Sequence, residues 1–142
     1  MLRIDSHAKP YLLQRVRSAD QPLRVIVVEH DQTIADLLSA LVADLGHTLC
    51  GIARTEADAG YLALRERPDL ALTDVRFGGG DGIALARRLN SDHGLRSIFL
   101  SGNCDHATMA RITETYPLGV VHRPFSRTQL KVALDLAARR LR

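Results

Sequence analysis

No run of 18 consecutive apolar residues occurs in the 142-residue chain, which excludes a membrane-spanning helix. The first residues do not read as a secretory leader, because Arg3 and Asp5 interrupt any apolar segment there. Cysteine is scarce. Cys50 and Cys104 are the only two, too few for a disulfide framework, and a reducing, cytoplasmic setting is expected. Lysine is scarcer than its class suggests: of 19 basic residues only Lys9 and Lys131 are lysines. The net charge of +3 is too small an excess to argue for a nucleic-acid partner. Aromatic residues make up 4% of the chain, and neither repeats nor low-complexity tracts occur beyond one short glycine run. That run, Gly78-Gly79-Gly80, is not followed by Gly-Lys-Ser/Thr, which excludes a P-loop.

What is present is a chain 46% hydrophobic and 25% charged, too apolar for disorder and the right size for one domain with a core of its own. Residues 1–22 stand apart as an N-terminal arm, with Pro10 and Pro22 bracketing a segment that reads equally as a short amphipathic helix or a disordered tail. A mitochondrial presequence is a weaker third reading.

From Leu23 a strand–helix alternation begins. Leu23 to Val28 is apolar apart from Arg24, as in a strand covered on both faces. Asp31 is placed to cap a helix whose apolar positions run from Ile34 to Leu45, with Gly46 as its stop. Thr48–Ala53 predicts a second strand. A helix from a Thr55 cap to about Arg67 follows, ended by Pro68. Further strands are expected at 69–73, 97–100 and 118–121, and further helices at 83–89, 105–116 and from a Ser126 or Thr128 cap to Leu141. The stretch 78–82 predicts a loop. Five strands alternating with five helices imply an α/β fold, a parallel sheet with right-handed crossovers and helices on both faces.

In such sheets the functional edge lies beyond the carboxyl ends of the strands. There the sequence places Glu29, His30 and Asp31, then Asp74 and Asp81, then Ser101 and Asn103, then His122, Arg123 and Pro124. Acids on neighbouring strand ends can hold a hard cation through oxygen. A carboxylate can act as a nucleophile toward phosphorus, and a hydroxyl and a guanidinium can receive phosphoryl oxygens. The remaining histidines, His7, His47, His93, His106 and His122, show no metal-ligand spacing. Cys50 reads as a core residue of the second strand, and nothing marks Cys104 as reactive.

Five strings carry a resemblance: Val27-Val28-Glu29-His30-Asp31, Leu72-Thr73-Asp74-Val75-Arg76, Asp81-Gly82, Phe99-Leu100-Ser101-Gly102 and Arg123-Pro124-Phe125. In this order and spacing, residues 23–142 resemble the receiver domain of two-component response regulators. The resemblance implies a flavodoxin-like sheet of order 2-1-3-4-5. It makes Asp74 the phosphoacceptor, served by a histidine kinase or a phosphotransfer protein. It makes Ser101 and Arg123 the switch and phosphoryl contacts, with Asp81, Gly82 and Pro124 structural beside them. It assigns Mg2+ to Glu29, Asp74 and the Arg76 backbone carbonyl.

Four positions depart from the family pattern. His30 replaces the second metal-binding acid, Arg123 a lysine, Gly78 a proline, and Val120 an aromatic. His30 is read foremost as a lost ligand that leaves Mg2+ weakly held. A nitrogen ligand for a transition metal and a pH-sensitive cation are the alternatives. The expected function is a stand-alone, phosphorylation-controlled switch of protein contacts, not an enzyme beyond slow self-dephosphorylation. Any homodimer is expected through the helices at 105–116 and 127–141, with Tyr116, Leu130 and Leu134 as candidate contacts. The rival is a pseudo-receiver: a constitutive interaction module with Arg123 pinning the acids.

Overall fold

The computed structural model describes residues 21–102 and 104–141, so the arm expected at 1–22 and Asn103 fall largely or wholly outside the described residues. The elements run β1 (Arg24–Val28), α1 (Gln32–Asp44), β2 (Thr48–Ala53), α2 (Glu56–Glu66), β3 (Leu70–Asp74), β4 (Arg76–Phe77), β5 (Gly80–Asp81), α3 (Gly82–His93), β6 (Arg96–Ser101), α4 (His106–Thr113), β7 (Gly119–His122) and α5 (Arg127–Arg140). Five strands form one parallel sheet in the order β2-β1-β3-β6-β7. Counted within that sheet the order is 2-1-3-4-5, as expected.

Side chains alternate across the strands, and that alternation sorts the helices. Val25 and Val27 of β1, with Leu70, Leu72, Ile98 and Leu100, pack against Leu38 and Val42 of α1 and Leu130 and Leu134 of α5. Ile26 and Val28 point the other way, onto Ala59 and Ala63 of α2 and Leu85 and Leu89 of α3. Phe99 meets Ile83, Ala86 and Ile112, which seats α4 on that second face. Residues Val25 to Val28 are wholly buried, which accounts for their unbroken apolar run.

The helix boundaries follow local chemistry. Asp31 accepts from the Ile34 N–H at 3.1 Å, and Thr55 from the Asp58 N–H at 3.1 Å. Ser126 and Gln129 form a full capping box. Helix α3 runs a turn further than expected because Gly94, in the left-handed region at φ 67°, takes its C-cap. Helix α4 stops a turn short of expectation. There the buried Thr115 hydroxyl donates to the Ile112 carbonyl at 2.7 Å, and Tyr116 turns out at φ 56°.

Three other expectations are corrected. The glycine stretch is not wholly a loop: Arg76–Phe77 pairs antiparallel with Gly80–Asp81 in a small hairpin. Cys50 is half-buried, like Leu49, Gly51 and Ile52 around it on the edge strand β2, and the register with β1 skips it, pairing Val25 with Leu49 and Ile26 with Gly51. Leu130 and Leu134 are fully buried core, so of the three candidate contact residues only Tyr116 is on the surface.

His47 follows α1 and accepts the Leu23 N–H at its Nδ1, 3.0 Å away. That bond requires an unprotonated Nδ1, and burial holds the imidazole below its ordinary pKa. The unfolded chain therefore binds a proton near pH ~6.5 that the folded chain refuses. Stability is at its full value above that pH and falls as the pH drops below it. His47→Gln keeps an acceptor without a titration. Urea unfolding at pH 7.5 and pH 5.5 is expected to show a smaller acid loss in the variant than in the parent.

Candidate functional site

The carboxyl ends of β1, β3, β6 and β7 bring Glu29, Asp74, Ser101 and Arg123 together. The parallel register sets this convergence: Val28 lies beside Thr73, Asp74 beside Leu100, and Ser101 beside His122. Glu29 is 2% exposed and Asp74 8% exposed, so two carboxylates are buried side by side. Such a pair needs a counter-charge. Arg123 supplies it through a single nitrogen. Its Nη2 donates to Glu29 Oε1 at 3.2 Å and to Asp74 Oδ2 at 3.0 Å. The free oxygens are also used: Glu29 Oε2 accepts from the Asp31 N–H at 3.3 Å, and Asp74 Oδ1 from the Arg76 N–H at 3.1 Å.

Burial pushes the Glu29 carboxyl above the usual carboxylate range, and the charge of Asp74 pushes it further. The Asp31 N–H and the Arg123 guanidinium pull it part of the way back. Arg123 itself is anchored by its own backbone N–H, which donates to the Ser101 carbonyl at 2.7 Å. Above the carboxylates lies a cavity of about 330 Å³ lined by Asp74, Val75, Arg76, Ser101, Gly102 and Arg123. Glu29 does not line it. The buried Ser101 hydroxyl donates to Cys104 Sγ at 3.1 Å.

The other expected site residues sit nearby in different roles. Asp81 does not share the acidic pair. It caps α3 by accepting from the Ile83 and Ala84 N–H groups, and its second oxygen pairs with Arg111 of α4. Although partial burial pushes the Asp81 carboxyl up, these donors outweigh it and hold the group below its ordinary range. Gly82 is confined: a Cβ there would stand 1.8 Å from the Asp74 carbonyl oxygen. Pro124 follows Arg123 through a cis peptide bond. His30 is exposed, with its ring against the hairpin; a Cβ on Gly78 would lie 3.0 Å from the imidazole. Val120, at the aromatic's position, is half-buried beside the Ile83–Phe99–Ile112 cluster.

Sequence reading missed two participants. Arg111 joins α4 to the residue that caps α3, a pairing over 30 positions that no local signal carries. Cys104 accepts the Ser101 hydroxyl; its position three residues on from a strand-end serine was the available clue.

Magnesium takes near-octahedral oxygen coordination, through one or two carboxylates and several waters. Here the position between the two carboxylates is taken by a guanidinium nitrogen. Among the described residues no three His, Cys, Asp or Glu side chains are grouped to hold a metal. The residues as arranged do not fit a resident Mg2+.

Matched against known families, residues 25–135 fit the response regulator receiver domain. The chain belongs to that family. This receiver is 27% identical over 121 residues to the transcriptional regulatory protein PdtaR of Mycobacterium tuberculosis, covering 85% of this chain and 59% of that one. It is 27% identical over 125 residues to the phyllosphere-induced regulator PhyR of Methylorubrum extorquens, covering 87% of this chain and 46% of that one. It thus spans about half the length of the relatives it matches. The crystal structure of the signal receiver domain of a modulated diguanylate cyclase from Desulfovibrio desulfuricans superposes with a TM-score of 0.77 at 27% identity, over 85% of this chain and 97% of that one. PhyR from Brucella abortus superposes with a TM-score of 0.68 at 27% identity, over 82% of this chain and 48% of that one. Among the described residues of this receiver no helix is long and apolar enough to cross a membrane.

The contact between Gly82 and the Asp74 carbonyl makes a direct prediction. Gly82→Ala forces the start of α3 away from the end of β3; overpacking against side chains costs roughly 1–3 kcal/mol, and here main-chain atoms must move. Urea denaturation of the variant is expected to show a loss at or above the top of that range.

Proposed function

We propose that this receiver takes a phosphoryl group on Asp74 from a histidine kinase or a phosphotransfer protein, and that the modification switches protein contacts. The observation that carries the reading is that Asp74, Ser101 and Arg123 line one cavity. In the transfer, an Asp74 carboxylate oxygen forms a bond to phosphorus. The donor's P–N bond breaks, and its electron pair returns to the imidazole. The product carries roughly −1.5 to −2 charge where one carboxylate oxygen had been. Arg123, with a planar fork of donors, can turn from the carboxylates to the phosphoryl oxygens, and Ser101 can exchange its sulfur acceptor for one of them. Water slowly reverses the modification; no separate catalytic activity is assigned.

The surface that would read this change is formed by α4, β7 and α5, since Arg123 directly follows β7. Tyr116, Val132 and Leu136 lie exposed there, at 70%, 50% and 53%. A nucleic-acid role fits α5 poorly. Arg127 pairs with Asp44, Lys131 with Asp135, and Arg140 reaches the Pro117 and Leu118 carbonyls.

A second reading has its own support. Arg123 neutralises both acids without any phosphoryl group, as a constitutive, phosphorylation-independent interaction module would require.

Intact-mass measurement after incubation with acetyl phosphate, or with a cognate kinase and ATP, separates the two. The parent is expected to gain one phosphoryl group and Asp74→Asn none. A parent that stays unlabelled by both donors selects the constitutive module, and equal labelling of the variant removes Asp74 as the acceptor. Any homodimer is expected to pack through the α4–β7–α5 face. Val132→Glu should then shift sedimentation toward monomer, and a dimer packed through α1 would contradict this.

A further inference from the structure

The two departures from the family pattern nearest to Glu29 and Asp74 solve one problem between them. Receivers place a divalent ion among acids at this strand edge; here one of those acids is a histidine and the phosphoryl-contact lysine is an arginine. His30 is occupied at both ends. Its carbonyl accepts from Arg54 Nε at 3.0 Å, and its ring lies over Gly78, where a side chain would collide with it. The ring packs against the Gly78 turn, whose φ of 62° suits glycine, and among the described residues it joins no three-ligand group with the acids.

With that ligand withdrawn, the acid pair keeps a single strong counter-charge. The Arg123 nitrogen lies within 3.2 Å of a carboxylate oxygen on each residue and so places its positive charge against both. The side chains of Glu29 and Asp74 are 3% and 11% exposed, so this contact is poorly screened by solvent. Arginine suits the task better than lysine, because its guanidinium stays charged and is more weakly hydrated. A divalent ion entering the site has to expel Arg123 or bind beside a like charge, with one carboxylate fewer than the family supplies.

We propose that a guanidinium has replaced the divalent ion in this receiver. Arg123 is the resident counter-cation of the Glu29–Asp74 pair, and the pair takes no divalent ion while Arg123 is seated. The proposal concerns the unphosphorylated chain and does not rest on Asp74 being an acceptor, so labelling and metal titration succeed or fail separately.

Mn2+ alone is the probe, added to the full 15N-labelled chain, with Mg2+ calorimetry alongside. Arg123→Ala is expected to bind Mn2+ about tenfold or more tightly than the parent, the scale on which groups neighbouring a metal site act. Arg123→Gln serves the same comparison if the alanine variant does not fold. His30→Asp alone is expected to leave binding weak, and His30→Asp with Arg123→Gln to give the tightest site. Two results overturn the proposal: equal affinity in the parent and the Arg123 variants, or tight binding restored by His30→Asp with Arg123 intact. The parent alone also decides. Mn2+ should broaden amides near exposed acids such as Asp36 and Asp58 before those of Glu29, Asp74 and Arg76, and the reverse order rejects the idea.

Discussion

Two carboxylates buried side by side at the end of a parallel sheet are the constraint around which this molecule is organised. Water cannot solvate Glu29 and Asp74 adequately, so the protein must supply the compensating charge from its own chain. It does so from β7, the strand at the opposite end of the sheet from β2. The Arg123 guanidinium therefore ties the two central strands to an edge strand and to α5, which follows. Through this one side chain the charge at Asp74 is tied to the segment that leads into α5.

The same edge shows how the fold limits what can move. The first residue of α3 rests on the Asp74 main chain, with no room for a methyl group at Gly82. The Asp81 side chain then caps that helix and reaches across to Arg111 of α4. Strand β3, the hairpin that follows it and α4 are thus joined by one short chain of contacts. Ser101 and Arg123 close the other side of the cavity lining, Ser101 through a bond to Cys104 and Arg123 through its bonds to the two carboxylates.

Much of this was legible in the sequence. Apolar runs marked the inner strands β1, β3 and β6 most clearly because these are buried along nearly their whole length. Asp31, Thr55 and Ser126 announced helix starts because capping is a local bond between near neighbours. Topology put Glu29, Asp74, Ser101 and Arg123 among the residues at the strand ends, and the resemblance to receivers singled them out. What stayed hidden depended on contacts between distant positions or on very short elements. A two-residue ladder at Arg76–Asp81 has no periodicity to read, and its glycines imitate a loop. The early end of α4 rests on one threonine hydroxyl turned back onto the helix. Residues 30 and 78 each registered as a departure from pattern, but nothing in the sequence said that the ring of one covers the other.

The hydrogen bond from Ser101 to Cys104 has a further consequence. Sulfur is a weak acceptor, so the serine proton is committed to a partner that holds it loosely. Many buried hydroxyls donate to a main-chain carbonyl, and drawing one away sacrifices a strong bond to make another. An anionic oxygen placed beside Ser101 would compete with a thiol for that proton, and a charge-assisted bond is the stronger of the two. The loop after β6 thus leaves its serine with a weak acceptor at the edge of the cavity.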